Sequence, residues 1–393
     1  HKIYAWDEDT DNSSSDNMWA KQIGAHSISF SADGQTAVVL TVDNDIIFYD
    51  FATGNVTKSF NENQFDGYSS AISADGGVLV SGSHDSSDII IINRHNIGTL
   101  AEYSLSNKVD TDMVRFSGDD TAFVAIHGSQ YINYYYTDSD SYNWTVNHGY
   151  DILSADISDN GSFLVIGDEF DRIRLYLQNG SNPWHYETGG DVLTVSISAD
   201  GQYIIAGSTD NKIYLLESDG GVANWIYSSG YDVVATDISS NGSVAVAAAG
   251  SKVYAFSATN STPLWTADFG TTISSIRVSE DGEYIYVGGG TKVSLYRKSG
   301  NSTIWTATVT GSVSSISVSD SGTFASVASG KNIYLYRNTT STPVWQKTMT
   351  GNLQSMSMSD DGNYVTLGTD DYQIHQFSTS SQFLGWTYRA VSD

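Results

Sequence analysis

Short apolar segments alternate with polar turns along the whole 393-residue chain, and this alternation repeats with one period. A Ser-x-Asp/Asn-Gly turn recurs every 40 to 44 residues. Its last residue falls, in successive copies, at Gly34, Gly76, Asp120, Gly161, Gly201, Gly242, Gly282, Gly322 and Gly362. A fixed period of this length is typical of repeat architectures, in which each unit packs against its neighbours.

Residues 191–228 show the repeating unit most clearly. Apolar and polar residues alternate in the first predicted strand, and the pair Asp200-Gly201 then favours a tight hairpin because it accepts positive φ angles. The second strand is apolar on both faces, as a strand buried between layers must be. The four predicted strands, named a to d, contain Leu193-Thr194-Val195, Tyr203-Ile204-Ile205, Ile213-Tyr214-Leu215 and Trp225.

Four short antiparallel strands in every repeat are typical of a propeller blade. The sequence therefore predicts an all-β chain, with a single β-propeller over residues 24–393 built from eight to ten four-stranded antiparallel blades, nine being the best number. The complete units run roughly over 24–60, 67–105, 110–147, 150–188, 191–228, 231–268, 271–309, 311–349 and 351–390.

Residues 1–23 are predicted to form an extra c–d strand pair, which leaves one pair too many for a closed ring. Three interpretations stay open. The pair latches onto the last blade, or it adds to a neighbouring molecule and builds a chain of subunits by strand addition. In the third interpretation the seven regular blades close alone, and residues 1–105 form a separate partial array.

Tryptophan recurs once per repeat in strand d. The series consists of Trp144, Trp184, Trp225, Trp265, Trp305, Trp345 and Trp386. A large ring at one fixed place per blade is expected to cover the outer rim and wedge adjacent blades together. The three prolines, Pro183, Pro263 and Pro343, lie one or two residues before such a tryptophan, where strand d is predicted to start.

Two segments resemble known repeat families. The turn Ser198-Ala199-Asp200-Gly201, followed by strands b and c, resembles the WD40 pattern. The segment from Val253-Tyr254-Ala255-Phe256 through Leu264-Trp265 resembles the tryptophan repeat of quinoprotein-like propellers, the PQQ-type repeat. The resemblance covers nearly the whole chain and implies the fold. Because such families include scaffolds, ligand binders and a few dehydrogenases, it does not imply one function.

The charge balance limits the classes of partner. Asp and Glu total 45 against 18 Lys and Arg, a net charge of −27, which disfavours binding to nucleic acid and to anionic lipid. No apolar run approaches the roughly 18 residues of a membrane span. The first residue is His1, which fits removal of a signal peptide or a trimmed terminus, and we expect an extracellular or cell-surface location.

Asn-x-Ser/Thr sequons fall in or beside predicted c–d loops or in predicted a–b turns. They are Asn12, Asn55, Asn143, Asn160, Asn179, Asn241, Asn260, Asn301 and Asn338. In a blade these two kinds of connection emerge at the same face, whereas the d–a and b–c connections emerge at the other. The sequence therefore predicts an N-glycosylated protein with one sugar-coated face and one bare face.

The bare face is predicted to carry aromatic residues beside acids in its d–a loops. The candidate ligand-binding residues are Tyr68, His148, Tyr150, Asp151, Asp191, Tyr231 and Asp232. Tyrosine rings beside carboxylates near a central channel suit a sugar or a cationic ligand. In the alternative interpretation, the neighbouring glycines turn the chain and the tyrosines pack the top of each blade.

One acidic segment near the start of the chain suggests a cation. Asp7, Asp9 and Asp11 alternate as in the first half of a calcium loop, and hard oxygen ligands suit Ca²⁺. The segment lacks the glycine and glutamate of an EF-hand, so the alternative is a solvated acidic loop. Apart from this Ca²⁺ hypothesis, no cofactor is predicted.

No catalytic motif is found, and the chain is predicted not to be an enzyme. The histidines have no metal-ligand spacing, and no Gly-x-Ser-x-Gly elbow occurs. A quinone cofactor is expected to need converging basic groups, and the basic spots show no repeat at positions expected to face the channel.

The predicted function is that of an acidic, non-enzymatic extracellular or cell-surface propeller, structural and self-assembling or adhesive. Its expected partners are copies of itself or another surface protein, with glycans as further ligands. The alternative is a secreted enzyme or ligand carrier, quinoprotein-like or glycan-active, with its site at the mouth of the central channel.

Overall fold

The fold is given by a computed structural model, which describes residues 111–119, 121–136, 142–358, 361–369, 373–379 and 384–389. Before residue 111 it describes the strands and Asn55. The chain divides into two compact units. Unit 1 contains residues 1–111, 137–141 and 349–393, and unit 2 contains residues 112–136 and 142–348.

Unit 2 consists of six four-stranded sheets, which we number blades 3 to 8. Blade 3 comprises β11 (Thr111–Phe116), β12 (Ala122–His127), β13 (Tyr131–Tyr136) and β14 (Tyr142–Asn147). Blade 4 comprises β15 (Ile152–Ile157), β16 (Phe163–Asp168), β17 (Arg172–Leu177) and β18 (Trp184–Glu187). Blade 5 comprises β19 (Val192–Ile197), β20 (Tyr203–Ser208), β21 (Lys212–Glu217) and β22 (Ala223–Ser228). Blade 6 comprises β23 (Val233–Ile238), β24 (Ala245–Ala249), β25 (Lys252–Ser257) and β26 (Asn260–Asp268). Blade 7 comprises β27 (Ser275–Val278), β28 (Tyr284–Gly289), β29 (Lys292–Arg297) and β30 (Gly300–Thr308). Blade 8 comprises β31 (Val313–Val318), β32 (Phe324–Ser329), β33 (Asn332–Arg337) and β34 (Thr340–Thr348).

Unit 1 contains a two-stranded sheet and three further four-stranded sheets. The pair is β1 (Ile3–Trp6) with β2 (Asn17–Lys21). Blade 1 comprises β3 (Ser27–Phe30), β4 (Thr36–Leu40), β5 (Asp45–Asp50) and β6 (Val56–Asn61). Blade 2 comprises β7 (Gly67–Ile72), β8 (Val78–Ser83), β9 (Asp88–Asn93) and β10 (Leu100–Ser104). Blade 9 comprises β35 (Leu353–Met358), β36 (Tyr364–Thr369), β37 (Gln373–Ser378) and β38 (Leu384–Arg389). Within this unit β1 lies beside β38, and β3 lies beside β7.

The predicted all-β class and the four-stranded antiparallel blades are confirmed. Every four-stranded sheet has the order a-b-c-d, and the part of the chain that the structure describes contains no helix. Strand b is buried along almost its entire length in blades 3 to 8, as its apolar composition predicts. The number of blades in one closed ring and the role of residues 1–23 stay predictions.

The recurring turn owes its shape to local hydrogen bonds. In blade 5 the Ser198 hydroxyl donates to the Asp200 carboxylate over 2.6 Å and accepts the Tyr203 N–H over 3.0 Å. Gly201 has a φ of 73°, a left-handed conformation that glycine adopts without strain. These contacts lie within six residues of the chain, which explains why the turn can be recognised in the sequence.

The inner strands of unit 2 lie side by side, and polar side chains connect their facing edges. The Ser154 hydroxyl accepts the N–H of Val195 over 3.1 Å. The Asp156 carboxylate likewise accepts the N–H of Ile197 over 2.9 Å. Each acceptor therefore binds the inner strand of the following blade, where the edge has no further strand to pair with.

The a–b turns of unit 2 are also joined from blade to blade. One backbone N–H in each turn donates to a carbonyl oxygen of the next turn over 2.9 to 3.1 Å. The donor–acceptor pairs are Asp119–Asp159, Asp159–Ala199, Ala199–Ser240, Ser240–Glu280 and Glu280–Asp320. This belt of hydrogen bonds fixes the spacing of neighbouring blades at one end of the inner strands.

The tryptophans of strand d connect neighbouring blades at the outer side, which confirms the predicted wedge. Five of these indole N–H groups donate to a backbone carbonyl in the c–d connection of the following blade over 2.8 to 3.3 Å. The pairs are Trp144–Gln178, Trp184–Ser218, Trp225–Ala258, Trp265–Lys298 and Trp305–Asn338. The side chain of Trp386 lies outside the described residues.

Two of the three prolines do not mark the start of strand d, and that expectation was wrong for them. Pro263 lies inside β26 and Pro343 inside β34, whereas Pro183 directly precedes β18. The register of β26 against β25 shifts in this region, so Pro263 falls outside the paired positions. A residue without an N–H is tolerated on an outer-edge strand at such an irregularity.

Candidate binding end and inner-strand cluster

Hydrogen bonds between loops define two ends of unit 2. At one end, c–d connections donate to a–b turns, as from Gln178 N–H to the Ser162 carbonyl over 2.9 Å. At the other end, b–c turns donate to d–a loops, as from Glu169 N–H to the Asp151 carbonyl over 3.0 Å. We call these the sequon end and the bare end.

The sequons of unit 2 all lie at the sequon end, as predicted. Asn160 and Asn241 occupy a–b turns, and the others lie in or beside c–d connections. The described asparagines are exposed, except for a half-buried Asn338. The sequons of unit 1 are Asn12, which lies outside the described residues, and an exposed Asn55 between β5 and β6.

A buried polar network supports the bare end of blade 4. His148, in the d–a loop, lies with Nε2 2.8 Å from Asp168 Oδ2 and with Nδ1 3.1 Å from the Tyr176 hydroxyl. Asp168 also accepts the Arg172 Nε–H over 3.2 Å and two backbone N–H groups of its own b–c turn. Because the side chains of His148 and Asp168 are fully buried, this network fixes the loop instead of presenting a surface.

Above this network lies a stack of two aromatic rings, of which the outer one is exposed. The rings of Tyr150 and Phe170 stack with centroids 4.4 Å apart, and Phe170 is 58% exposed. The Arg172 guanidinium lies 4.2 Å from the centre of the Tyr150 ring and 5.0 Å from that of Phe170. The base of the stack is rigid, since Arg172 is also bound to Asp168, while its outer ring faces solvent.

The inner strands add apolar residues to the same end. A β-bulge near the start of strand a leaves one residue unpaired in blades 4, 5 and 6. These residues are Leu153, Leu193 and Val234; the first and third are exposed, and Leu193 is half-buried. Bulges re-aim side chains, and here they turn three apolar side chains of adjacent strands outward.

The charge around this apolar surface is negative. Arg172 and Lys212 are each paired with a carboxylate of their own b–c turn, Asp168 and Asp210. The remaining charged side chains around it are mostly acidic. They are Asp151, Glu169, Asp171, Asp191 and Asp232, all exposed or half-buried. We call the Tyr150–Phe170 stack, the bulge residues and these acids together the acidic aromatic rim.

The structure brings some of the predicted ligand-binding residues together. His148, Tyr150 and Asp151 share one d–a loop, with His148 buried beneath the ring of Tyr150. Gly149, between them, has a φ of 84°, so glycine does turn this loop. Asp151 accepts the Gln130 side-chain N–H over 3.0 Å.

The remaining candidates belong to other blades. Tyr231 is 55% exposed beside an exposed Asp232 at the start of blade 6, and Asp191 is half-buried at the start of blade 5. Tyr68 belongs to β7 in unit 1, and its side chain lies outside the described residues. Ligand binding by these residues stays a prediction.

The calcium hypothesis concerns Asp7, Asp9 and Asp11, which lie outside the described residues. Within the part of the chain that the structure describes, no three His, Asp or Glu side chains converge as a metal site requires.

A second cluster lies on the inner strands of unit 2, and the sequence reading missed it. Arg115, Asp156, Asp237 and Arg277 occupy the same position of strand a in blades 3, 4, 6 and 7, five residues before the last residue of the turn. Asp237 accepts the N–H of Val278 over 2.7 Å. One guanidinium nitrogen of Arg277 donates to the Ile276 carbonyl over 3.0 Å.

These four groups influence each other electrostatically. Protein atoms surround Asp156 closely although its side chain keeps some solvent exposure, and this desolvation raises its pKa to about 6. The N–H of Ile197 and the charge of Arg115 oppose the rise, and Asp237 adds to it. Burial also raises the pKa of Asp237, against the charge of Arg277. The pKa of Arg115 is lowered, first by desolvation and further by the charge of Arg277.

Arg115 and Arg277 were not singled out from the sequence. They are four repeats apart, so no local spacing links them. Aligning the repeats on their turn and reading the position five residues earlier would have found them.

Comparison with known protein families matches two parts of the chain. A family model described as outer membrane protein assembly factor BamB matches residues 249–392. A second, described as WD domain, G-beta repeat, matches residues 181–216. Comparison with curated protein sequences finds no match.

Solved structures with similar folds share little sequence with the chain. BamB from Moraxella catarrhalis is 15% identical, with a TM-score of 0.56, covering 72% of this chain and 91% of its own. The C-terminal WD40 domain of Sif2 is 13% identical, with a TM-score of 0.63, covering 75% and 90%. A chain of the mitotic checkpoint complex is 13% identical, with a TM-score of 0.53, covering 80% and 91%.

In the described residues there is no helix that could serve as a membrane span. The repeats, the four-stranded blades, the family matches and the similar structures agree. The chain is a β-propeller, and segments of it match the BamB and WD-repeat family models.

Proposed function

We propose that this chain is a non-enzymatic binding protein that holds a basic, partly apolar segment of another protein at its acidic aromatic rim. The observation that carries the proposal is the exposed stack of Phe170 on Tyr150, whose base is fixed by Arg172 and the buried Asp168. An exposed aromatic side chain on a rigid base is typical of binding hot spots, because little entropy is lost when a partner covers it.

The surroundings of the stack favour a protein segment over a small ligand. The bulge residues Leu153 and Val234 extend the apolar surface across three blades, from the stack toward Tyr231. Contiguous exposed apolar surface rimmed by polar residues is a mark of interaction sites. A surface that spans three blades suits an extended peptide segment with spaced apolar side chains.

The negative charge of the rim favours a positively charged partner. The rim carries an excess of carboxylates, and the whole chain has a net charge of −27. A segment rich in Lys and Arg is attracted to such a surface, and the attraction accelerates its association. A second copy of this chain would bring the same negative charge, so a different protein is the favoured occupant.

A selection from a random peptide library tests this proposal. Peptides selected on the purified chain at physiological salt are expected to combine Lys or Arg with large apolar residues. Phe170→Ser is expected to weaken their binding by about tenfold or more, as loss of a hot-spot side chain does. Val222→Ser is the matched control, because Val222 is 66% exposed at the sequon end.

Three results would count against the proposal. Selected peptides could be acidic, they could bind Phe170→Ser as well as the unchanged chain, or they could lose affinity for Val222→Ser instead. Light scattering of the chain alone gives a fourth check. Self-association that Phe170→Ser abolishes would assign this face to copies of the same protein.

The proposal includes an extracellular or cell-surface location with N-linked glycans at the sequon end. Exposed sequons such as Asn179, Asn241 and Asn260 support it, because each side chain lies at the surface in a local turn, where its oxygen accepts a backbone N–H. We expect natively produced protein to exceed the 42.5 kDa of the unmodified chain in intact-mass measurement. A mass equal to that value would remove this part of the proposal.

A further inference from the structure

We infer that the inner-strand cluster of Arg115, Asp156, Asp237 and Arg277 binds a small organic anion that also carries hydroxyl groups, such as an acidic sugar. This site is distinct from the rim, because it lies on strand a close to the a–b turns at the sequon end. It does not depend on the function proposed for the rim.

Arg277 has the geometry of a binding residue. Its side chain is exposed, and a single guanidinium nitrogen is held by the Ile276 carbonyl. Among the described residues it makes no ion pair, although Asp237 lies close enough to lower the cost of its charge. A guanidinium held at one nitrogen keeps the others for a carboxylate, which it binds in a planar, bidentate manner.

The position of the second arginine strengthens this assignment. Arg115 occupies the equivalent position four blades earlier, and its side chain is also exposed. The two charges act on each other, since Arg277 lowers the pKa of Arg115. Asp156 acts on Arg115 and Arg277 acts on Asp237, so the cluster offers cationic donors and carboxylate acceptors side by side.

The two aspartates define which anion fits. One oxygen of Asp156 and one of Asp237 accept backbone N–H groups of the next blade, so both carboxylates are fixed in place. A simple anion such as phosphate meets repulsion from these carboxylates. A hydroxylated carboxylate places its negative end on the arginines and donates its hydroxyl groups to the aspartates, so the cluster favours that class.

Titration calorimetry with glucuronate, glucose and inorganic phosphate tests the site. We expect glucuronate to bind and the other two not to bind measurably. Arg277→Gln is expected to weaken glucuronate binding by about tenfold or more, the loss of a charge-assisted hydrogen bond. Arg297→Gln is the matched control, because Arg297 lies in the same blade but pairs with Glu283 on the surface.

A second variant acts in the opposite direction. Asp156→Asn keeps an oxygen for the Ile197 N–H and removes a negative charge, so it should tighten glucuronate binding several-fold at pH 7.5. Lowering the pH through about 6 should tighten binding to the unchanged chain in the same way. Desolvation is the main cause of this raised pKa of Asp156; the Ile197 N–H and Arg115 oppose it, and Asp237 adds to it.

The inference is overturned if glucuronate shows no heat of binding, or if phosphate binds and glucuronate does not. Equal binding by the Arg277→Gln variant would also overturn it. Phe170→Ser leaves this cluster untouched. The peptide experiment therefore tests the rim, and the glucuronate experiment tests the inner-strand cluster, independently of each other.

Discussion

Asp168→Ala is expected to destabilise blade 4 by about 3–5 kcal/mol, the cost of removing one partner of a buried charged network. The side chain is fully buried, and its loss leaves His148 and Arg172 without their carboxylate. Two backbone N–H groups of the b–c turn lose their acceptor as well. The matched control is Asp219→Ala, an exposed residue of the next c–d loop, whose effect should stay within about 0.5 kcal/mol.

The same carboxylate gives a pH dependence with a defined sign. Burial acts to raise the pKa of Asp168, but the hydrogen bond from His148, the N–H of Arg172 and the Arg172 charge outweigh it, so the pKa lies below its ordinary value. The folded state therefore binds fewer protons here than the unfolded chain. The resulting stabilisation is present above about pH 4, the ordinary pKa of Asp, and is lost as the pH falls through the lowered value.

Urea unfolding followed by circular dichroism at pH 7 and pH 3 measures both effects. The difference between the unchanged chain and Asp168→Ala should shrink at the lower pH. Asp168→Asn, which keeps an acceptor but no charge, should lie between the two. An Asp168→Ala variant as stable as Asp219→Ala at pH 7 would show that the network contributes nothing to the fold.

The second large effect is expected for Trp225→Ala. Truncating this buried aromatic side chain should lower the free energy of unfolding by about 3–5 kcal/mol. The ring packs 4.7 Å from that of Phe256 in the next blade, and its N–H donates to the Ala258 carbonyl. Trp225→Phe keeps most of the packing and loses the hydrogen bond, so it should cost about 1–2 kcal/mol. Ile226→Ala, an exposed neighbour in the same strand, is the control.

Amide hydrogen exchange locates the effect of Trp225. In a repeat protein each unit is stabilised by its neighbours, so exchange should accelerate most in β21 of blade 5 and β25 of blade 6. Uniform acceleration over all blades would contradict a role confined to one blade interface. No acceleration at all would contradict the role of the indole as a connection between blades.

The sequence predicted those features that depend on local contacts. The Ser198-Asp200-Gly201 turn is held by hydrogen bonds between its own residues. Because this turn marks the boundary between strands a and b in every repeat, the blades and their two ends could be predicted from the sequence. The tryptophan wedge was also predictable, because one large ring recurs at a fixed position. Pro263 was misplaced because strand d continues through a register shift that no local signal marks.

The candidate sites depend on contacts between distant residues, and there the sequence reading was incomplete. The ring of Tyr150 was recognised, but its partner Phe170 lies in a b–c turn twenty residues later and was not. The bulges that turn Leu153 and Val234 outward look like ordinary alternation in the sequence. Arg277 and Asp237 influence each other only because the inner strands of neighbouring blades lie side by side.

If the bare end of blades 4 to 6 is the binding surface, hydrogen–deuterium exchange with and without a selected peptide should reveal it. We expect the peptide to slow exchange in the loops around Tyr150, Phe170 and Tyr231, with no change in the c–d loop around Val222. Slower exchange at Val222, with the three aromatic loops unaffected, would contradict the claim.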